Sequence, residues 1–222
     1  MLEAFNYRII LEYMPLFGQC FLATLWLSGL SLIGAVLVGI IACAMRLSQS
    51  RILRSIAGVY IETIRSTPLL AQLYFFYFGL PSMGIMLPEW LTGVIALVLN
   101  SGAYYAEIIR AGIQAISFGQ IEAGIASGLS YVQRMRYIIL PQALGNTIRP
   151  MLGQAIILVK DSSLLSLISI MELTRAGQLL TSERFAPAEG FLTTAAFYLI
   201  IYYLLKAFSG WSEKRLIFRE AH

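Results

Sequence analysis

Residues 122–141 read EAGIASGLSYVQRMRYIILP, a short, mostly polar and amphipathic interlude between long apolar runs. The chain around it has 222 residues, 58% of them hydrophobic and only 13% charged, with a mean hydropathy of +0.74. A soluble domain of this size carries about 25% charged residues. The composition therefore predicts an all-α integral membrane protein whose 117–141 loop lies outside the bilayer. The length suits one membrane domain, 1–222, without room for a second catalytic domain.

Working outward from the loop, uncharged runs predict five spans, near 16–45, 68–87, 90–109, 147–171 and 191–207. Each is close to the ~20 residues that cross ~30 Å of hydrocarbon. Arg46, Arg51 and Arg54 follow the first run; Arg110, Arg134, Arg136 and Arg149 lie between the third and fourth; Lys206, Lys214, Arg215 and Arg219 follow the fifth. The connection 79–90 has no Lys or Arg, and Arg175 and Arg184 after the fourth run are offset by Glu172, Glu183 and Glu189. The positive-inside rule then puts the N-terminus outside, and the Glu122 loop and the C-terminus in the cytoplasm. The net charge of +4 is thus an orientation signal and not a nucleic-acid footprint.

Several chemistries are excluded. Glu3, Arg8 and Glu12 precede a run too long for the apolar core of a signal peptide. Cys20 and Cys43 lie on one predicted helix, roughly 34 Å apart at ~1.5 Å per residue, beyond the ~7 Å reach of a disulfide. His222 is the only histidine, so neither a metal site nor a histidine-based triad is expected. No lysine follows glycine, so the chain lacks a phosphate-binding P-loop; it is not expected to be an enzyme or to hold a cofactor.

Candidate site residues are those that break the apolar pattern. Asp161 is the only aspartate and lies ~18 Å along a helix from Arg149, near the bilayer midplane. Carboxylates there cost ~2.5–3.5 kcal/mol and usually face a cavity. Thr147, Gln154 and Asp161 recur every seventh residue as one polar stripe, which either lines a translocation pocket or clamps helices between subunits. Ser66-Thr67-Pro68 has the character of a helix start. A break at Thr67 would free backbone groups for a ligand; a plain kink is the other reading. Thr67 and Tyr74 share a face, with Gln72 pointing elsewhere, and Asn100 shares a face with Tyr104.

The anchors Glu122-Ala123-Gly124, Gly128 and Ile138-x-Leu140-Pro141 resemble the EAA loop of ATP-binding-cassette importer permeases, with Gly124 where that pattern has alanine. Thr67-Pro68-Leu69-Leu70, YYAEIIRAG at 104–112 and Val159–Leu164 resemble the polar amino acid subfamily. The resemblance covers nearly the whole chain. It implies a type I importer permease in a bacterial inner membrane, with Glu122, Ala123, Gly124, Gly128, Leu140 and Pro141 coupling to ATPase subunits that bind the ATP. It also implies a second permease copy, identical or related, and an extracytoplasmic amino acid binding protein. The substrate would be held by Thr67, Tyr74, Asn100, Tyr104, Gln154 and Asp161, with Asp161 meeting the α-ammonium and Gln154 the side chain. Members that carry basic amino acids tend to place a carboxylate at the Gln154 position, which argues against a cationic substrate. Two other readings stand beside this one: an ion-gradient transporter or channel, with Asp161 as its cation site, and a non-transporting membrane scaffold.

Overall fold

The computed structural model describes residues 5–220, with side chains described as far as Trp211. Glu3 and His222, and the side chains of Lys214, Arg215 and Arg219, lie outside that description. Ten α-helices follow in order: α1 Tyr7–Leu47, α2 Arg51–Ser66, α3 Leu69–Tyr74, α4 Leu80–Ser82, α5 Glu89–Gln114, α6 Phe118–Ala126, α7 Tyr131–Arg134, α8 Leu140–Asp161, α9 Leu173–Arg184 and α10 Pro187–Glu220. Among the described residues there is no strand. Among the described residues four stretches are long and apolar enough to cross a membrane: Tyr7–Leu47, Glu89–Gln114, Tyr131–Ile168 and Pro187–Trp211.

The stretch 68–87, expected as a span, is helical only from Leu69 to Ser82. That is roughly 21 Å at ~1.5 Å per residue, shorter than the hydrocarbon core. Its physical cause is proline. Pro81 has no N–H, and its ring would clash with the carbonyl four residues back in a regular helix. The preceding turn, Phe75–Gly79, widens to a π turn in which the Leu80 N–H reaches the Phe75 carbonyl. The same arrangement recurs before Pro141, where Met135–Ile139 is a π turn and the Leu140 N–H reaches the Met135 carbonyl. Single π turns of this kind are how a helix absorbs an extra residue.

The described residues divide into two compact units. The first takes residues up to Ile33, then Thr67–Val98 and Ile156–Lys206. Its apolar cores form around Leu73, Leu97 and Leu165, and around Phe17, Leu173 and Leu180. α9 is fixed here by a feature with no hydropathy signature: Glu172 is 0% exposed. Its carboxylate accepts the Thr174 and Arg175 N–H groups, both at 2.9 Å, and the Tyr198 hydroxyl at 2.7 Å. Burial pushes the Glu172 carboxyl above its ordinary pKa, opposed by those hydrogen bonds. α9 and α10 meet at two glycines, where a Cβ on Gly190 would sit 2.6 Å from the Gly177 carbonyl oxygen.

The second unit takes Gly34–Ser66, Leu99–Ala155 and the described residues from Ala207. Its core gathers Ala42, Cys43, Ile61 and Ala106. Small residues set the helix approach: a Cβ on Gly39 would lie 2.5 Å from the Tyr105 Cβ. Two tyrosines tie helices to backbone, Tyr60 donating to the Leu99 carbonyl at 2.6 Å and Tyr105 to that of Met151 at 3.2 Å. Cys20 and Cys43 are both free and buried, one in each unit.

Candidate functional site

The 117–141 segment folds as two short helices with defined ends. α6 stops at a Schellman turn: the Leu129 N–H donates to the Gly124 carbonyl at 3.0 Å and the Gly128 N–H to that of Ile125 at 2.9 Å. Gly128 has φ +74°, in the left-handed region that glycine alone enters without penalty. Gly128 therefore ends a helix. α7 begins at Ser130 with a capping box, Ser130 Oγ accepting the Gln133 N–H at 3.3 Å and Gln133 Oε1 accepting the Ser130 N–H at 2.8 Å.

Gly124 is buried, and a Cβ there would lie 2.8 Å from Ile138 Cδ1 and 3.1 Å from Arg134 Cδ. α6 is thus laid flush against the stretch that leads through Leu140 and Pro141 into α8. Glu122 lies on the second turn of α6, and the first turn has no acidic residue. The helix dipole therefore does little for Glu122, since that effect fades within the first turn. Phe118, Glu122 and Ile125 follow helical spacing along one face, and all three are exposed, as is Ala123. Phe118 and Ile125 were not singled out in the sequence; their i, i+7 spacing was the available signal.

The six proposed substrate contacts fall three to each unit. In the first, Pro68 occupies the N-cap of α3 with extended backbone, one position earlier than the helix-start reading placed it. The break frees the Thr67 carbonyl, and Gln72 turns back to fill it: its Nε2 donates to Thr67 O at 3.1 Å and to Thr67 Oγ1 at 2.8 Å. Gln72 therefore does not point away, as expected of a regular helix. Tyr74 is exposed and its ring lies 5.6 Å from that of Phe78. Asp161 ends α8, and among the described residues its carboxylate makes no hydrogen bond or ion pair.

In the second unit Asn100 is buried and Tyr104 half-buried. The Arg65 guanidinium lies over the Tyr104 ring, 5.3 Å from its centroid. Arg65 also pairs with Glu107 at 3.7 Å, and Glu107 with Arg110 at 2.6 Å. Arg65 is the last charged residue before the uncharged run that ends at Glu89. Gln154 is buried with its Nε2 3.4 Å from Ser101 Oγ, and Thr147 packs where a Cβ on Gly112 would collide with its methyl group. Two members of the polar stripe thus face small residues of α5.

Residues 10–218 match the family described as binding-protein-dependent transport system inner membrane component. The chain belongs to this family. This inner membrane component is 38% identical over 214 residues to the glutamine transport system permease protein GlnP of Escherichia coli, covering 96% of this chain and 98% of that one. It is 35% identical over 208 residues to the nopaline transport system permease protein NocM of Agrobacterium fabrum, covering 89% and 86%. Among solved structures, an amino acid ABC transporter crystallised with histidines matches at TM-score 0.91 with 36% identity, over 96% of this chain and 99% of that one. The inward-facing MetNI methionine ABC transporter matches at TM-score 0.75 with 20% identity, over 91% and 97%, a likeness of fold. The inner membrane component therefore has the all-α architecture of a type I ABC importer permease. It is a multi-pass membrane transport subunit and not an enzyme, ATP hydrolysis belonging to a separate subunit of such systems. Family membership decides against the gradient-driven and scaffold readings.

Proposed function

We propose that this chain forms the translocation path of an ATP-driven importer for a neutral polar amino acid, glutamine or a close analogue. The observation that carries the reading is the outward face of α6. It offers Phe118 and Ile125 beside Glu122, an apolar and acidic surface on a helix braced from behind through Gly124. Such a face suits a groove on a cytoplasmic ATPase subunit, with Ala123 completing the contact and Gly128, Leu140 and Pro141 setting how α6 joins α8. Two ATPase subunits, a second permease copy and an extracytoplasmic binding protein complete the assembly. The stretch 68–87 serves as a fifth crossing, its helical part completed by non-helical backbone at either end, so that the N-terminus lies outside and the C-terminus inside, in a bacterial inner membrane.

The substrate contacts are Thr67, Tyr74, Asn100, Tyr104, Gln154 and Asp161. Asp161 meets the α-ammonium, for which its uncommitted carboxylate is suited. The amide of Gln154 reads the side chain without charge, in keeping with relatives named for glutamine. The cycle is alternating access: closure of the ATPase pair moves α6, and the permease pair exchanges between two packings. Uptake of labelled glutamine by the reconstituted assembly, competed with each common amino acid, tests this. Competition by neutral amides and not by arginine or lysine is expected; strong competition by cationic amino acids alone would refute the substrate class.

A further inference from the structure

The second unit contains a cavity of about 830 Å³. It is bounded by the end of α1 from Ile40 to Leu47 and the following Ser48 and Gln49, by Ile109 and Ile113 of α5, and by Tyr131, Met135 and residues of α8 from Leu140 to Met151. No charged side chain lines it. Its lining is apolar apart from Ser48, Gln49, Tyr131 and the buried Thr147, and Ser48, Gln49 and Tyr131 belong to two chain segments that border it.

Those two segments carry one sign of charge. Residues 46–54 contain Arg46, Arg51 and Arg54, residues 129–140 contain Arg134 and Arg136, and neither stretch has an Asp or Glu. Arg46 is engaged by Glu62 at 3.7 Å and Arg134 by the Leu129 carbonyl at 2.6 Å. Arg54 is held beside the lining residue Ser48, its Nη2 donating to the Ser48 carbonyl at 2.9 Å. Arg51 and Arg136 are exposed, each within two residues of a lining residue, Gln49 and Met135.

We propose that this cavity is a binding site for one anionic phospholipid of the cytoplasmic leaflet, its acyl chain inside and its phosphate at Arg51, Arg54 and Arg136. A lipid tail leaving the bilayer for an apolar cavity exchanges one apolar surrounding for another. The chain therefore supplies fit, and selectivity comes from the headgroup. Basic groups beside a hydrophobic cleft are the arrangement that retains anionic lipids, each Arg near the surface being worth about fivefold in affinity. The site joins the end of α1 to the segment leading from α6 into α8, so an occupant would stiffen the joint through which α6 is carried. The proposal rests on the cytoplasmic placement of the 117–141 loop given above.

The test uses the complete permease–ATPase complex in mild detergent. It is incubated with equal concentrations of phosphatidylglycerol and phosphatidylcholine and read by native mass spectrometry. One phosphatidylglycerol retained per permease copy, in preference to phosphatidylcholine, is expected. Arg51→Gln with Arg136→Gln should reduce that retention about 25-fold, and Leu144→Trp, which puts a larger side chain into the cavity, should also reduce it with the subunits still associated. Equal retention of the two lipids, or retention unaltered by the double substitution, overturns the proposal. So does displacement by glycerol 3-phosphate, which would mark a soluble-phosphate site. Separation of the permease copies by Leu144→Trp would assign the cavity to the partner permease instead. ATPase subunits failing to co-purify with the unsubstituted protein would count against the coupling assignment, and that readout is independent of lipid retention.

Discussion

Gly128 offers the sharpest test of how α6 is carried. A Cβ built at Gly128 has nothing within 4 Å, so any cost of substitution comes from backbone conformation and not from a clash. At φ +74° an ordinary L residue costs about 1–2 kcal/mol, whereas asparagine is tolerated there. The residue must stay left-handed, or the two bonds from Gly128 and Leu129 to the Ile125 and Gly124 carbonyls are lost together. If the loop relaxes to avoid the penalty, the docking-competent population falls and apparent affinity falls by the same factor. The upper limit is about 5- to 30-fold. ATPase binding to the permease in nanodiscs, titrated for Gly128→Asn, Gly128→Ala and Gly128→Val, should follow the order Gly, Asn, Ala, Val from tightest to weakest. The β-branched variant is the most penalised because bulky residues at positive φ are true outliers. Valine binding as tightly as glycine, or asparagine faring worse than valine, would show that the Schellman turn does not position α6.

Three further outcomes are expected. Gly190→Ala should destabilise the protein by about 1–3 kcal/mol through overpacking, because its Cβ would meet the Gly177 backbone; Gly29→Ala, with open space around it, should leave thermal melting unchanged or slightly raised. Asp161→Asn should weaken substrate binding about ten- to a hundredfold, the worth of a charge-assisted hydrogen bond at ~1.5–3 kcal/mol, with melting of the complex unaltered; lower melting with intact affinity would make Asp161 a helix clamp. Single cysteines at Glu89 and Gln133, in a background lacking Cys20 and Cys43, should differ in labelling by an impermeant thiol reagent added outside, and equal labelling would overturn the proposed orientation.

Much of the fold could be read from charge spacing, because a run without charges and the arginines that end it report directly on solvent. α1 and α5 are long for that reason. The stretch 68–87 is helical over fewer residues than its hydropathy suggests, because hydropathy does not register what Pro68 and Pro81 do to backbone bonding. α2 escaped notice because its sequence, RILRSIAGVYIETIRS, mixes charges with apolar residues on one amphipathic helix. Side-chain partners were harder still. A seven-residue repeat shows that Thr147 and Gln154 share a face, yet not that Gly112 and Ser101 lie opposite. Glu172 looked like one more acid offsetting Arg175, although it is the buried cap of α9. Gln72 reaching Thr67 depends on a carbonyl that only the break makes available. In the 117–141 segment glycine, capping residues and proline each act through their own backbone chemistry, which is why its helix ends follow from residue type.

Each π turn adds one residue to a helix without adding a full turn, so the residues beyond it are rotated by about 100° relative to an uninterrupted count. Elsewhere in a membrane helix, gaining or losing one residue would swing every later side chain to the wrong face, turning polar groups toward lipid. At Phe75–Gly79 and Met135–Ile139 the chain already holds such a residue, kept in place by Pro81 and Pro141. These two turns are where a lineage of such proteins can change helix length by single residues while leaving the membrane-facing sides where they were.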